Sequence, residues 1–174
     1  MAGSDVKSSH LHGSGFFVTG RTRVRAMDVV GTASAGYMIL FDTDVAPVSA
    51  TYGRSGTTVT VTKVAHGLTT GNVVGIAFEH AGTVATSGNY VITVTGTDTF
   101  TVTDINTGTI SAGSACLYVS SNTNDVTSGW LATFHASAGD TFYNGFNVPD
   151  EGLLARKGVY ATVTNLSNVN IYYN

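Results

Sequence analysis

The residues that could do chemistry begin with a histidine in a glycine-rich stretch. His66 opens the segment HGLTTGNVVGIAF, residues 66–78. A catalytic histidine needs a hydrogen-bonded nucleophile or acid, and no Ser-His-Asp or Cys-His pattern lies near it. Gly67 and Gly71 can adopt positive φ, and Thr-Thr-Gly-Asn is typical of turns. We therefore predict that His66 is a turn residue after a strand, with Leu68 plugging the end of a small barrel or sandwich.

Two further histidines and the single cysteine are the next candidates for metal ligands or a nucleophile. His10 and His12 form an H-x-H pair, which in a strand would place both rings on one face. The remaining histidines lack the spacing of ligands, so we predict no metal site and a flexible arm over residues 1–15. Cys116 lies in SACLYV, a setting typical of a small buried strand residue. One cysteine also excludes an internal disulfide.

Acidic residues near the end of the chain raise the question of paired-carboxylate catalysis. Asp140, Asp150 and Glu151 lie in SAGDTF and VPDEGL, which are turn contexts that favour Asp locally. Phosphate-binding glycine loops are absent from the sequence. We predict no catalytic residue and no cofactor, and hence that the protein is not an enzyme.

Three arginines at alternate positions form the one concentrated charge pattern. Arg21, Arg23 and Arg25 in RTRVR would project from one face of a strand. Like charges on one face repel unless they meet acids or phosphate. Two interpretations stay open: a docking interface for an acidic neighbour, or pairing with acids of the chain itself. The candidate acids are Asp42, Asp44, Asp150 and Glu151. The net charge of −3 argues against nucleic acid as the partner.

The elements that must position these residues are strands. The 174 residues are 43% hydrophobic and only 11% charged, and the apolar positions alternate with period two almost throughout. No long amphipathic helix is indicated, and no apolar run approaches the ~18 residues of a membrane span. The sequence predicts an all-β protein without a membrane partner. Its low surface charge favours packing against other subunits.

A change in composition along the chain predicts two modules. Between Ser55 and Ser120 charges are scarce and about five short strands follow one another at regular spacing. We predict a β-sandwich built from residues 16–50 and 122–174, with a small β-barrel or sandwich module, residues 52–120, inserted in one loop. Surface loops tolerate such insertions cheaply. One continuous elongated β domain is the alternative.

Two stretches resemble proteins of tailed bacteriophages. The end, FNVPDEGLLARKGVYATVTNLSNVNIYY, resembles the end of a family of small virion β-sandwich proteins, and RVRAMDVVGTASAGYMILFDT resembles the first hairpin of that family. The middle, TVTKVAHGLTTGNVVGIAF with GNYVITVTGTDTFTVT, resembles a β module that recurs in phage tail and virion proteins. Members of the first family are usually shorter and lack such an insert, which agrees with the insertion hypothesis.

The resemblance implies a structural role in the virion. The leading expectation is a head decoration or cement protein that docks through its sandwich onto the major capsid protein, or onto tail proteins, and projects the inserted module. A homo-oligomer is expected, a trimer among the options. The alternative is a tail- or fibre-associated adhesion or carbohydrate-binding protein with weak contacts to host-surface glycans. A polysaccharide depolymerase is the least favoured hypothesis, and neither family implies catalytic residues.

Overall fold

The regular structure is β-strand throughout the residues that the structure describes. The computed structural model describes residues 6–78, 84–121, 129–147 and 152–174, with residues 121 and 141–147 described by their backbone alone. Their strands form three antiparallel sheets, which confirms the all-β prediction. Within these ranges there is no helix of the length and apolarity that crossing a membrane requires.

The chain divides into two compact units. The terminal unit comprises Met1–Ala46 and Leu131–Asn174, and the central unit comprises Pro47–Trp130. The predicted module boundary at residues 50–52 falls inside a strand, Val48–Thr62. Pro47 and the small residues after it resemble a linker in sequence, but the segment pairs with a neighbouring strand from Val48 onward. That the central residues fold as an independent insert stays a prediction.

Two sheets build the terminal unit. The first has the order β1 (Lys7–Leu11), β14 (Leu166–Tyr173), β3 (Thr22–Gly31) and β11 (Thr141–Asn147), with β12 (Leu153–Ala155) also on β3. The second has the order β10 (Gly129–Ala136), β4 (Gly36–Asp42), β13 (Gly158–Thr164) and β2 (Gly15–Thr19). The alternating apolar residues of both sheets meet in one core, as in a β-sandwich. Met27, Met38 and Ile171 are completely buried there.

The predicted flexible arm is wrong for residues 7–11. These residues form β1, which pairs antiparallel with β14, Lys7 opposite Tyr173 and Leu11 opposite Val169. Leu11 packs against the sandwich core. The segment KSSHL has a single large apolar side chain, so its pattern does not indicate a strand. Backbone hydrogen bonds to β14 hold it in place, and these bonds need no particular side chain.

A long bent pair of antiparallel strands organises the central unit. Its strands are β5 (Val48–Thr62), β6 (Val73–Phe78), β7 (Gly88–Val91), β8 (Thr93–Gly96) and β9 (Thr99–Ser121). β5 and β9 pair along nearly their whole length, from Val48 opposite Tyr118 to Thr62 opposite Thr99. β6 and then β7 continue the sheet beside the end of β9, while β8 pairs with its beginning.

Two register shifts divide the β5–β9 pair into two halves that share one core. The shifts lie between Tyr52 and Arg54 and between Gly56 and Thr58, and such bulges bend and twist a strand. Tyr52 from one half and Phe100 from the other are both fully buried in the same apolar cluster. The five short strands expected from the sequence are instead two long and three short ones. β9 continues through NTGTISAG and so joins two of the expected strands, while YVITVTG divides into β7 and β8.

Candidate functional site

The three arginines of RTRVR lie where β3 begins, but they do not share one regular strand face. Arg21 is exposed in a bend before β3, and Arg23 and Arg25 are partly buried within the strand. Opposite β14 the register shifts between Val24 and Ala26, which puts Arg25 at a bulge. Its Nε donates to Oδ1 of Asn174 at 3.2 Å. The alternation of side chains between the two faces of the strand, which the sequence predicts, is therefore interrupted at Arg25.

Two further cations adjoin these arginines. β12 pairs with the start of β3, with Leu154 opposite Arg23 and Ala155 opposite Thr22. Arg156 directly follows the last pair on β12, and Arg21 directly precedes it on β3. The N–H of Gly20 donates to the carbonyl oxygen of Lys157 at 2.7 Å. We call the five residues the basic edge: Arg21, Arg23, Arg25, Arg156 and Lys157. They are five of the eight lysines and arginines in the chain.

One interpretation of the sequence was that Asp42 pairs with the arginines of RTRVR. In the structure Asp42 bonds backbone groups instead. Its buried carboxylate accepts the backbone N–H groups of Arg156 and Lys157, each at 2.8 Å, and of Gly158 at 3.3 Å. The carboxylate thus shapes the β12–β13 turn that carries two of the basic residues. Asp44 is exposed, and the other acids considered as partners, Asp150 and Glu151, lie outside the described residues.

His66 is held by backbone groups on both ring nitrogens. The N–H of Leu68 donates to Nδ1 at 3.0 Å, so Nε2 carries the hydrogen and donates to the carbonyl oxygen of Gly96, also at 3.0 Å. The ring meets Phe100 edge-on at a centroid distance of 5.5 Å. Leu68 is buried in the core of the central unit, as the turn interpretation predicted. A shallow recess of about 420 Å³ beside His66 contains no other titratable side chain.

Replacing His66 by alanine is expected to destabilise the central unit without changing any turnover. The loss of two hydrogen bonds and one ring contact should lower the free energy of unfolding by about 1–2 kcal/mol. Urea unfolding followed by fluorescence measures this loss. His10→Ala is the matched control, because His10 is exposed and should change stability by less than about 0.5 kcal/mol. Hydrolysis of a host polysaccharide that disappears in His66→Ala would contradict the turn assignment.

A buried ion pair lies inside the central unit. Nη1 of Arg54 is 2.8 Å from Oδ2 of Asp104, and both side chains are nearly inaccessible to solvent. The same carboxylate accepts the N–H of Thr86 and the N–H of Asn106, each at 3.0 Å. The hydroxyl of Tyr90 donates to the carbonyl oxygen of Thr86. One carboxylate therefore ties together β5, β9 and the segment that leads into β7.

The ionisation of this network follows from its hydrogen bonds. Burial raises the pKa of Asp104, but the hydrogen bonds from Asn106, Thr86 and Arg54 outweigh it and lower that pKa to about 2. Burial, with a smaller effect of the Asp104 charge, raises the pKa of Tyr90 to about 12. Asp104 is thus a carboxylate and Tyr90 a phenol near neutral pH. Because Asp104 is enclosed and fully engaged, its arrangement is that of a structural ion pair.

The other candidate residues are not brought together into a site. His10 and His12 meet edge-on, and Nδ1 of His12 lies 3.2 Å from the carbonyl oxygen of Ser167. Cys116 is buried, as its sequence setting indicated, and Oδ2 of Asp140 accepts the N–H of Ser137 in a turn. The described ranges contain no group of three or more His, Cys, Asp or Glu side chains arranged to hold a metal ion.

Two residues of the basic edge are not indicated by the local sequence pattern. Arg156 and Lys157 lie about 135 positions after Arg21, and only the pairing of β12 with β3 brings them together. Comparison of the chain with family models, with curated proteins and with solved structures finds no match.

Proposed function

We propose that the protein is a structural component of a tailed-phage particle, in the leading form a head decoration protein, that docks through the basic edge of its terminal unit. The observation that carries the proposal is the uneven distribution of charge. Five cations lie at the start of β3 and in the turn after β12, both in the terminal unit, whereas the described part of the central unit has only Lys63 and Asp98 outside its buried ion pair. The resemblance of the two terminal segments to phage virion sandwiches supplies the class of particle.

The basic edge suits an acidic surface on a neighbouring virion protein. Arginine forms bidentate, charge-assisted hydrogen bonds with carboxylates, and such contacts fix the orientation of a docked subunit. The neighbour is the major capsid protein in the leading form of the proposal and a tail protein in the second form.

Reversing charge on the basic edge is expected to weaken incorporation into particles. The variant Arg21→Glu/Arg156→Glu changes two exposed side chains and should reduce the amount of chain per particle by about tenfold or more, because two attractive contacts become repulsive. Quantitative mass spectrometry of purified particles measures this amount. Lys7→Glu, which reverses an exposed charge on β1, is the control and should be incorporated normally.

Deleting most of the central unit completes that experiment. A chain in which residues 51–121 are replaced by a short Gly-Ser linker should still be incorporated if docking belongs to the terminal unit. Circular dichroism of the purified variant checks that it is folded. Incorporation that needs the central unit and tolerates the double charge reversal would overturn the proposed orientation.

A second candidate function, contact with host-surface glycans, is favoured by the threonines of the central unit. Thr58, Thr60 and Thr62 of β5 are exposed and lie opposite Thr103, Thr101 and Thr99 of β9. Thr93 of β8 is also opposite Thr101. Neutral hydroxyl rows of this kind suit weak hydrogen bonding to sugars. Binding of the purified protein to a glycan array, lost in Thr101→Lys, would support an adhesion role on the tail or a fibre.

A further inference from the structure

Two histidines lie side by side on one face of the terminal unit. Leu11 of β1 packs against the core of that unit, and its partner on β14, Val169, is fully buried there. Side chains alternate between the two faces of a strand. His10 and His12, on either side of Leu11, therefore lie on the outer face of the sheet, where both are exposed.

The spacing of the two rings fits a shared metal ion. Their centroids are 5.3 Å apart. Zn²⁺ binds an imidazole nitrogen at about 2.0–2.1 Å, so the ion lies about 3.2 Å from each ring centroid, and a tetrahedral angle then separates the centroids by about 5.2 Å. The exposed ring of His10 can turn about χ2 while its centroid stays nearly in place. One nitrogen of each ring can thus reach the same ion.

The ring of His12 has the hydrogen bond that metal-binding histidines usually make. Its Nδ1 lies 3.2 Å from the carbonyl oxygen of Ser167, and because a carbonyl oxygen only accepts, Nδ1 carries the hydrogen. Nε2 of the neutral ring then has a free lone pair. Histidine ligands commonly donate their other N–H to a backbone carbonyl, which fixes the tautomer and the orientation of the ring.

A third donor lies on the neighbouring strand. His12 directly follows the pair Leu11–Val169 on β1, and Asn168 directly precedes that pair on β14, on the same outer face. Oδ1 of Asn168 is buried, and no hydrogen-bond donor among the described residues meets it. A buried acceptor without a donor costs free energy, and a bound ion is one way to satisfy it. Asn168 thus supplies an oxygen ligand beside the two histidines.

We infer that His10, His12 and Asn168 bind a Zn²⁺ ion, with water completing its coordination. Imidazole nitrogen suits Zn²⁺, whereas Mg²⁺ and Ca²⁺ take oxygen ligands. The ion links the edge strand β1 to β14. The sequence alone predicts no metal site, because only the pairing of β1 with β14 brings Asn168 beside His12. The inference goes beyond the proposed role in the particle and does not depend on it.

Calorimetric titration of the full-length chain with Zn²⁺ tests the site. The chain is produced without an affinity tag and is first freed of metal with a chelator. The expected result is one ion per chain, and His12→Ala should raise the Zn²⁺ Kd by about tenfold or more, because it removes a ligand. His135→Ala is the matched control, because His135 is an exposed histidine on β10, in the other sheet of the terminal unit. Its Kd should equal that of the wild type.

Asn168→Ala distinguishes a three-ligand site from a simple pair of surface histidines. It should also raise the Zn²⁺ Kd about tenfold. As a second readout, Zn²⁺ should raise the urea midpoint of the wild type and not that of His12→Ala, because the ion binds only the folded chain. No binding up to about 1 mM Zn²⁺, or a Kd unchanged in His12→Ala or in Asn168→Ala, would overturn the site. None of these outcomes affects docking through the basic edge.

Discussion

Asp104→Ala is expected to lower the free energy of unfolding of the central unit by about 3–5 kcal/mol. The substitution leaves the guanidinium of Arg54 buried without its partner. It also removes the acceptor for the backbone N–H groups of Thr86 and Asn106. An uncompensated buried charge and two unsatisfied donors are among the few mechanisms that produce losses of this size.

Urea unfolding at pH 7 measures the effect of Asp104→Ala. Asp44→Ala is the matched control, because Asp44 is exposed and its replacement should change stability by less than about 0.5 kcal/mol. The double variant Arg54→Met/Asp104→Leu should recover only part of the loss, since the N–H groups of Thr86 and Asn106 still lack an acceptor. Full recovery in the double variant would contradict the importance of those two backbone bonds.

The same carboxylate predicts a defined loss of stability in acid. Its pKa falls from an ordinary value of 3.8 to about 2 in the folded protein. A lowered carboxyl pKa stabilises the folded state above the unfolded value, and the contribution disappears as the pH falls through the folded value. Between about pH 4 and pH 2 the wild type should lose about 2 kcal/mol from this group. The stability of Asp104→Asn should not show this loss of about 2 kcal/mol between about pH 4 and pH 2.

Gly75→Val is the second substitution with a large expected effect, about 3 kcal/mol or more of lost stability. A Cβ on Gly75 would lie 2.1 Å from the backbone nitrogen of Trp130 and 2.5 Å from Cα of Gly129. These are backbone atoms, which cannot move aside as a flexible side chain can. The hydrogen bonds between Asn89 and Trp130 hold the crossing segment against β6, so the valine must displace it or distort the strand.

A neighbouring glycine supplies the control for this substitution. Gly88 lies on β7 opposite Ile76, one position from the Gly75–Asn89 pair. A Cβ there would meet only the ring of Tyr90, at 3.6 Å or more. Gly88→Ala should therefore change the unfolding midpoint in urea only slightly. If Gly75→Val were tolerated equally well, the close approach of the segment at Trp130 to β6 would be wrong.

Local periodicity was sufficient to predict the class of the fold and the turn at His66. The alternation of TTVTVT places Val59 and Val61 inside and the threonines outside, and HGLTTGN combines glycines that can adopt positive φ with Asn72. In the structure Oδ1 of Asn72 accepts the N–H of Thr69 at 2.8 Å, and Gly67 and Gly71 have φ of 67° and 92°. These features depend on residues within a few positions of one another.

The features that were missed depend on distant residues. Arg54 and Asp104 are 50 positions apart, and in sequence each resembles an ordinary surface charge. The open space above Gly75 is needed only because residues 129 and 130 pass there. The sequence of β1 predicts a flexible arm, because its backbone hydrogen bonds to β14 require no alternation of apolar side chains. The ion pair, the close approach at Gly75 and the strand β1 each depend on contacts between residues far apart in sequence. No local sequence pattern indicates such contacts.

Particle composition tests the central claim most directly. On the proposed role, phage particles purified by density gradient and analysed by quantitative mass spectrometry should contain the chain in a fixed ratio to the major capsid protein. The ratio should persist after washing at moderate salt and fall at high salt, because exposed charge–charge contacts are screened. A chain that is abundant in infected cells and absent from the purified particles would contradict the account.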